Sequence, residues 1–363
     1  MNQLPSIDAK RAPFAERLLA WFADHRRDFP WRRTDDPYRI WVSEVMLQQT
    51  RAATVVPYFE RFVERFPDLP ALADADIDDV LKAWEGLGYY RRARHLKAAA
   101  EHVVRDGSRT LPEDYDAMLA LPGVGRYTAG AVMSLAHDHP RPILDGNVRR
   151  VLSRVWAIDA DQRAAATTRW LWSAAEGLLP AGRAGAFNEA MMELGATVCT
   201  PRRPRCGDCP LASLCDGYAD GAPEDYPVRP PKKTLPHVDV TAAVIRRGSK
   251  ILITQRRAEA MLGGLWEFPG GKLEPGETLE QCLLREIREE LDITIRIEGP
   301  LVAVDHAYSH FRITLHTYLC RHSRGRVKDL GCDAHRWVTV DQLRDFAFPK
   351  ADRVVLARLE ELG

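Results

Sequence analysis

A chain of 363 residues is too long for one comfortable domain, so two are expected. Its 45% hydrophobic and 28% charged residues fit a globular protein, and 51 Lys+Arg balance 51 Asp+Glu to a formal net charge of zero. That balance excludes a basic field over the whole surface, so any nucleic-acid contact must rest on local positive charge. The polar opening Met1–Lys10 is not a signal peptide, and no apolar run nears the ~18 residues a membrane span needs. A cytoplasmic setting, nucleoid-associated in a bacterium, is therefore expected, with no membrane contact.

Residues 1 to about 198 read as helix after helix, without strand-like alternation. Apolar residues recur at helical spacing in Phe14, Leu18, Leu19 and Phe22, and again in Val42, Val45 and Met46. Proline and glycine separate the periodic runs, as at Phe66-Pro67 and Leu121-Pro122-Gly123. Residues 220–236 are rich in proline and charge and read as a linker. Beyond it, Val238–Ile245 and Lys250–Gln255 pattern as paired strands joined by Arg246-Arg-Gly-Ser249. A helix is predicted over Thr278–Leu291, with Thr278 as its cap. Further strands fit Ile293–Ile297, Phe311–Cys320 and Arg336–Val340, and a last helix fits Ala351–Leu362. The expected organisation is an all-α region over 1–219, the linker 220–236 and an α+β domain over 237–363.

Four of the seven cysteines crowd together as Cys199-x6-Cys206-x2-Cys209-x5-Cys215. Four thiolates in so short a loop wrap one compact metal centre, and their softness suits an iron–sulfur cluster or zinc. Arg202, Arg203 and Arg205 inside the loop are placed to reach a phosphate backbone.

Leu121-Pro-Gly-Val-Gly-Arg-Tyr-Thr-Ala-Gly130 sets Gly123 and Gly125 between two helices. Such a turn lets the backbone approach another molecule, with the amides of the second helix free to bind phosphate. It is a helix-hairpin-helix pattern, although a plain αα-turn looks similar. Downstream, Asp145 follows an apolar run and precedes a helix, where by itself it reads as an N-cap. Glu44 stands within Ile40-Trp-Val-Ser-Glu-Val-Met-Leu-Gln-Gln-Thr50, a mostly apolar helix. A carboxylate there is costly unless paired or protonated; the plainer alternative is an exposed face of the helix.

These segments resemble the MutY family of adenine DNA glycosylases, within the endonuclease III superfamily, over essentially the whole chain. Trp41-Val-Ser-Glu-Val-Met-Leu-Gln-Gln-Thr50, Leu144-Asp-Gly-Asn-Val-Arg-Arg-Val151 and Trp84-Glu-Gly-Leu-Gly-Tyr-Tyr90 carry the match, and the cysteine spacing matches the family's [4Fe–4S] loop. The resemblance implies that Glu44 protonates adenine and that Asp145 stabilises the sugar cation, with Tyr127 and Asn147 in support. It implies that Gln49 and Tyr89 enter the base stack when adenine is extruded. The expected substrate is double-stranded DNA with adenine opposite 8-oxoguanine or guanine, and the expected state a monomer. Endonuclease III is the competing reading. That enzyme uses a lysine where this chain has Tyr127, which favours a glycosylase without strand cleavage.

The C-terminal region holds Gly271-x5-Glu277-x7-Arg285-Glu-Ile-Arg-Glu-Glu290, with Asp292 where a Nudix box has glycine. The resemblance implies a Nudix-like domain with a mixed sheet. Glu286, Glu289 and Glu290 share a helix face and are candidates for Mg²⁺, which would add hydrolysis of an oxidised nucleoside triphosphate. Tyr308, Ser309 and His310 resemble the family's loop that reads 8-oxoguanine.

Overall fold

A computed structural model describes residues 4–230, 234–308 and 310–362. They form two units, Met1–Asp74 with His95–Lys232 and Ala75–Arg94 with Lys233–Gly363. No helix among the described residues is long and apolar enough to cross a membrane.

Chain order runs through α1 (Asp8–His25), α2 (Pro37–Leu47), α3 (Ala52–Arg65), α4 (Leu69–Asp74), α5 (Ile77–Ala83), α6 (Arg91–Arg105), α7 (Tyr115–Leu119) and α8 (Arg126–His137). It continues through α9 (Gly146–Val155), α10 (Ala165–Gly177), α11 (Ala184–Thr197) and α12 (Asp216–Ala219). As the sequence predicts, no strand lies in this stretch among the described residues. Helix α2 starts where Asp36 accepts from the Tyr38 amide at 2.9 Å, with Pro37 pre-set for the first turn. It then buries Tyr38 and Ile40–Met46 on every side, so it runs through the interior.

The core of the first unit joins Phe14, Leu18 and Phe22 of α1 to Val148, Leu152, Leu171, Phe187 and Leu194. Helices α9 and α11 meet with almost no gap. A Cβ placed on Gly195 would come within 2.5 Å of Asn147 Cβ.

In the second unit, strands β1 (His237–Arg247), β2 (Lys250–Gln255), β3 (Trp266–Glu267), β4 (Thr294–Ala307), β5 (Arg312–Arg324) and β6 (Ala334–Val338) form one sheet. Its order is β3-β2-β1-β5-β4, with β6 also paired to β2. β1 and β5 run parallel and the other pairs antiparallel, giving the mixed sheet expected. Helix α13 (Leu279–Leu291) brings Leu283, Ile287 and Leu291 onto one face, and α14 (Lys350–Leu362) brings Ala351, Val355 and Leu359 onto the other. Thr278 caps α13 through a reciprocal bond pair with Gln281. Asp292 ends that helix at φ 54°, a left-handed backbone that aspartate tolerates in place of glycine.

The helical segment 75–94 packs with this sheet. Asp78 accepts from Gln255 Nε2 at 2.9 Å and from Trp266 Nε1 at 3.3 Å, and Glu85 accepts from the Phe348 amide at 3.0 Å.

Gly195→Ala is expected to destabilise the protein by about 1–3 kcal/mol, since the added methyl has no room against Asn147. Urea unfolding checks this, and a midpoint equal to wild type would show that α9 and α11 separate freely.

Candidate active site

Glu44, Tyr127, Asp145 and Asn147 converge on one cavity of about 1220 Å³ in the first unit. Glu44 is only 2% exposed, so the exposed-face alternative does not hold. Burial pushes its carboxyl up to about 7, a rise that the nearby Asp145 and Glu189 reinforce. Tyr127 moderates it by donating its hydroxyl to Glu44 Oε2 at 2.5 Å. Burial and the same carboxylate hold the Tyr127 phenol well above its usual range, so it stays a neutral donor.

Asp145 is indeed the N-cap of α9, and its capping bonds fix it in the cavity. Oδ1 accepts from the amides of Asn147 at 2.9 Å and Val148 at 2.7 Å, while Oδ2 accepts from Asn147 Nδ2 at 2.8 Å. Burial raises its carboxyl, and these three donors oppose the rise. Arg150 holds Asn147 in turn: Nη2 donates to Asn147 Oδ1 at 2.8 Å and to the Gly195 carbonyl at 2.6 Å. Its Nε donates to the Cys199 carbonyl at 2.6 Å.

Sequence reasoning missed the other wall. Arg26, Arg27, Trp31, Arg32, Glu189 and Glu193 line it. Arg32 Nε lies 2.9 Å from Glu189 Oε1, and Arg32 Nη2 lies 2.9 Å from Glu193 Oε2. Glu193 is 1% exposed; burial alone would raise its carboxyl, but the Arg27 and Arg32 guanidiniums outweigh that and hold it low. The signal was available, because Glu189 and Glu193 interrupt an apolar helix as Glu44 does.

Gln49 lines the cavity and carries φ 58°; Tyr89, in the second unit, carries φ 50° and is 44% exposed. Both backbones lie in the left-handed region that is costly for such residues. Gly123 turns the α7–α8 hairpin at φ 72°, and Gly125 caps α8.

Cys199, Cys206, Cys209 and Cys215 line a small cavity with Val151, Leu194 and Leu211. Arg154 Nη1 reaches Cys199 Sγ at 3.3 Å. Burial pushes the Cys209 thiol up to about 12 and the Cys215 thiol up to about 11, so thiolates there call for a cationic centre. Among the described residues no three His, Cys, Asp or Glu converge on a single-ion site. Four soft donors around an apolar space suit an iron–sulfur centre.

The acids of α13 are otherwise engaged. Arg285 pairs with Glu277 at 2.7 Å, Glu286 at 2.9 Å and Glu289 at 3.2 Å, while burial raises Glu290 to about 7. They do not converge as the sequence led one to expect of a magnesium site. At the β4–β5 tip, Tyr308 packs between His306 and Phe311 with ring centroids 4.6 and 5.2 Å away, and His310 is exposed. Ser309 lies outside the described residues.

The helical hairpin, the paired acids and the cysteine loop define a class, the base-excision glycosylases of the helix-hairpin-helix superfamily. Residues 42–176 match the HhH-GPD superfamily of base excision DNA repair proteins, 199–215 the iron-sulfur binding domain of endonuclease III, and 240–358 the NUDIX domain. The human adenine DNA glycosylase is 36% identical, covering 96% of this chain and 74% of its own length. That of Buchnera aphidicola subsp. Acyrthosiphon pisum is 33% identical, covering 85% and 86%. Among solved structures, a thermostable thymine-DNA glycosylase superposes at TM-score 0.55 with 33% identity, over 60% of this chain and 100% of that one. An endonuclease III–DNA covalent intermediate superposes at 0.52 with 21% identity, over 60% and 99%, and shares the fold. The chain belongs to the adenine DNA glycosylase family.

A carboxyl raised from 4.5 to about 7 by folding adds stability in full only below its unfolded value and loses it as pH rises through about 7. Glu44→Gln should therefore raise the unfolding free energy by up to about 3 kcal/mol above pH ~8, with the gain fading toward pH ~4.5. Thermal unfolding across that range tests it; a pH-independent difference would mean that Glu44 is not held neutral by the fold.

Proposed function

We propose that this protein is a monofunctional adenine DNA glycosylase that removes adenine opposite 8-oxoguanine or guanine from double-stranded DNA. The observation that carries this is the pairing of a buried, readily protonated Glu44 with a donor-held Asp145 in one cavity. Burial raises both carboxyls, but three donors favour the anion of Asp145 where Glu44 has a single phenol, and that difference divides acid and anion roles between them.

The target bond is unreachable in a stacked duplex, so adenine is first extruded into the cavity. Arg32 supplies donors and Glu189 an acceptor, a complement to the mixed donor–acceptor edge of adenine, and Trp31 supplies a ring face. Glu44 gives its proton to a ring nitrogen of the base. The glycosidic bond then breaks with its electron pair leaving on a neutral adenine. Asp145, ionised and fixed by Asn147 and Val148, stabilises the positive charge left on the sugar. Water then adds to the sugar carbon and its proton returns to Glu44. No lysine lines the cavity among the described residues, and Tyr127 is bonded to Glu44; both favour hydrolysis over imine-dependent strand cleavage. The four cysteines would hold a [4Fe–4S] cluster, which supplies structural bracing and no step of the hydrolysis.

Single-turnover release from a duplex with adenine opposite 8-oxoguanine tests the reading. Wild type should give strand breaks only after alkali, and Glu44→Gln should slow release by about a hundredfold or more. Breaks before alkali would indicate a lyase instead.

Recognition of the opposite base is assigned to the sequence Tyr308-Ser309-His310, in which Tyr308 packs against His306 and Phe311 and His310 is exposed. Ser309→Ala combined with His310→Ala should reduce the preference for 8-oxoguanine over guanine. Equal preference ratios in variant and wild type would remove these residues from recognition.

A further inference from the structure

The Tyr127 hydroxyl faces two acceptors. It lies 2.5 Å from Glu44 Oε2 and 3.6 Å from Met192 Sδ. A phenol has one proton to give and lone pairs to receive another, while a thioether sulfur only accepts. When Glu44 is ionised, its carboxylate takes the phenol proton. When Glu44 is protonated, its own proton is donated to the phenol oxygen, and the phenol proton needs a different acceptor. Met192 stands where that acceptor is required. It lies on α11 and lines the cavity, whereas its neighbour Met191 is wholly within the core.

We propose that Met192 is a positioning residue: its sulfur accepts the hydrogen bond of the Tyr127 hydroxyl whenever Glu44 carries a proton, and so favours the acid form of Glu44 that protonates adenine. The proposal rests on the assignment of Glu44 as the acid. The groups that face Glu44 are Tyr127 of α8, Asp145 at the start of α9, Glu189 of α11 and Arg32 from the turn Pro30–Arg32. The two other carboxyls favour the neutral form of Glu44, and Arg32 opposes it. Met192 carries no charge, so it acts through the direction of the phenol proton alone.

The test is the pH profile of single-turnover adenine release for wild type, Met192→Leu and Met192→Gln, each also in a Tyr127→Phe background. The wild-type rate should fall as pH rises through the Glu44 midpoint. Met192→Leu keeps the bulk and loses the acceptor. It should move that midpoint down by about half a pH unit, a roughly threefold lower rate on the alkaline side with little change on the acid side. Met192→Gln places an amide oxygen at similar reach and should keep the midpoint at or above wild type. With Tyr127→Phe, the Met192→Leu change should shift nothing further. A Met192→Leu midpoint equal to wild type, a Met192→Gln midpoint below it, or a shift that survives Tyr127→Phe would each overturn the role of Met192 and leave Glu44 as the acid. A wild-type rate with no fall at alkaline pH would overturn the Glu44 assignment, and this proposal with it.

Discussion

A single carboxyl group inside α2 sets the terms for the helical unit. Helix α2 buries every residue from Ile40 to Met46, so the charge of Glu44 is poorly solvated there, and its carboxyl is pushed up to about 7. The neighbours that would hold it ionised, a paired guanidinium or several amide donors, do not bond to it, and the more distant Arg32 only partly offsets its burial. It meets a phenol and, further off, two more carboxyls. The fold thus gives up stability to keep a proton in the interior, and that cost is intelligible only if the proton is used.

Asp145 is the same chemical group, also raised by burial, but with different partners. It too is held away from water, but a helix start supplies amide donors and Asn147 adds a third. Those bonds favour the anion. Asn147 cannot turn away, because Arg150 ties it to the Gly195 carbonyl and to the Cys199 carbonyl at the head of the cysteine loop. Arg154 continues the contact to the Cys199 sulfur one turn later. The cysteine loop is thereby braced against the helix that presents Asp145, so order in the loop and the aim of the carboxylate are mechanically joined.

Much of this was readable in the chain, and what was not readable has a physical reason. Helical periodicity and the Thr278 cap depend on near neighbours and stand in the structure where the sequence put them, while the turn expected at Arg246–Ser249 is tighter, since Arg246 and Arg247 pair within the strand. Glu44 was legible because a charge among apolar residues violates a local rule. Glu189 and Glu193 violate the same rule, yet their partners, Arg26, Arg27 and Arg32, lie some 160 residues earlier in the chain. No local pattern announces such pairs. Met192 was invisible for a different reason: a methionine in an apolar helix is ordinary, and only the position of its sulfur beside the Tyr127 hydroxyl sets it apart from Met191. The long hairpin of β4 and β5 was underestimated because its outer residues alternate too weakly to register as strand.

The acids of α13 make the complementary point. By spacing they were as persuasive as Glu44, since three carboxyls on one face look built for a cation. In the folded chain Arg285 reaches Glu277, Glu286 and Glu289 at once, so charge that a metal would neutralise is neutralised by a guanidinium already present. Glu290 is raised by burial and by the nearby Glu267 and Glu286. A spacing motif records which side chains share a face; it does not record which counter-charge they meet. Glu44 meets a phenol, whereas Glu286 and Glu289 meet a guanidinium.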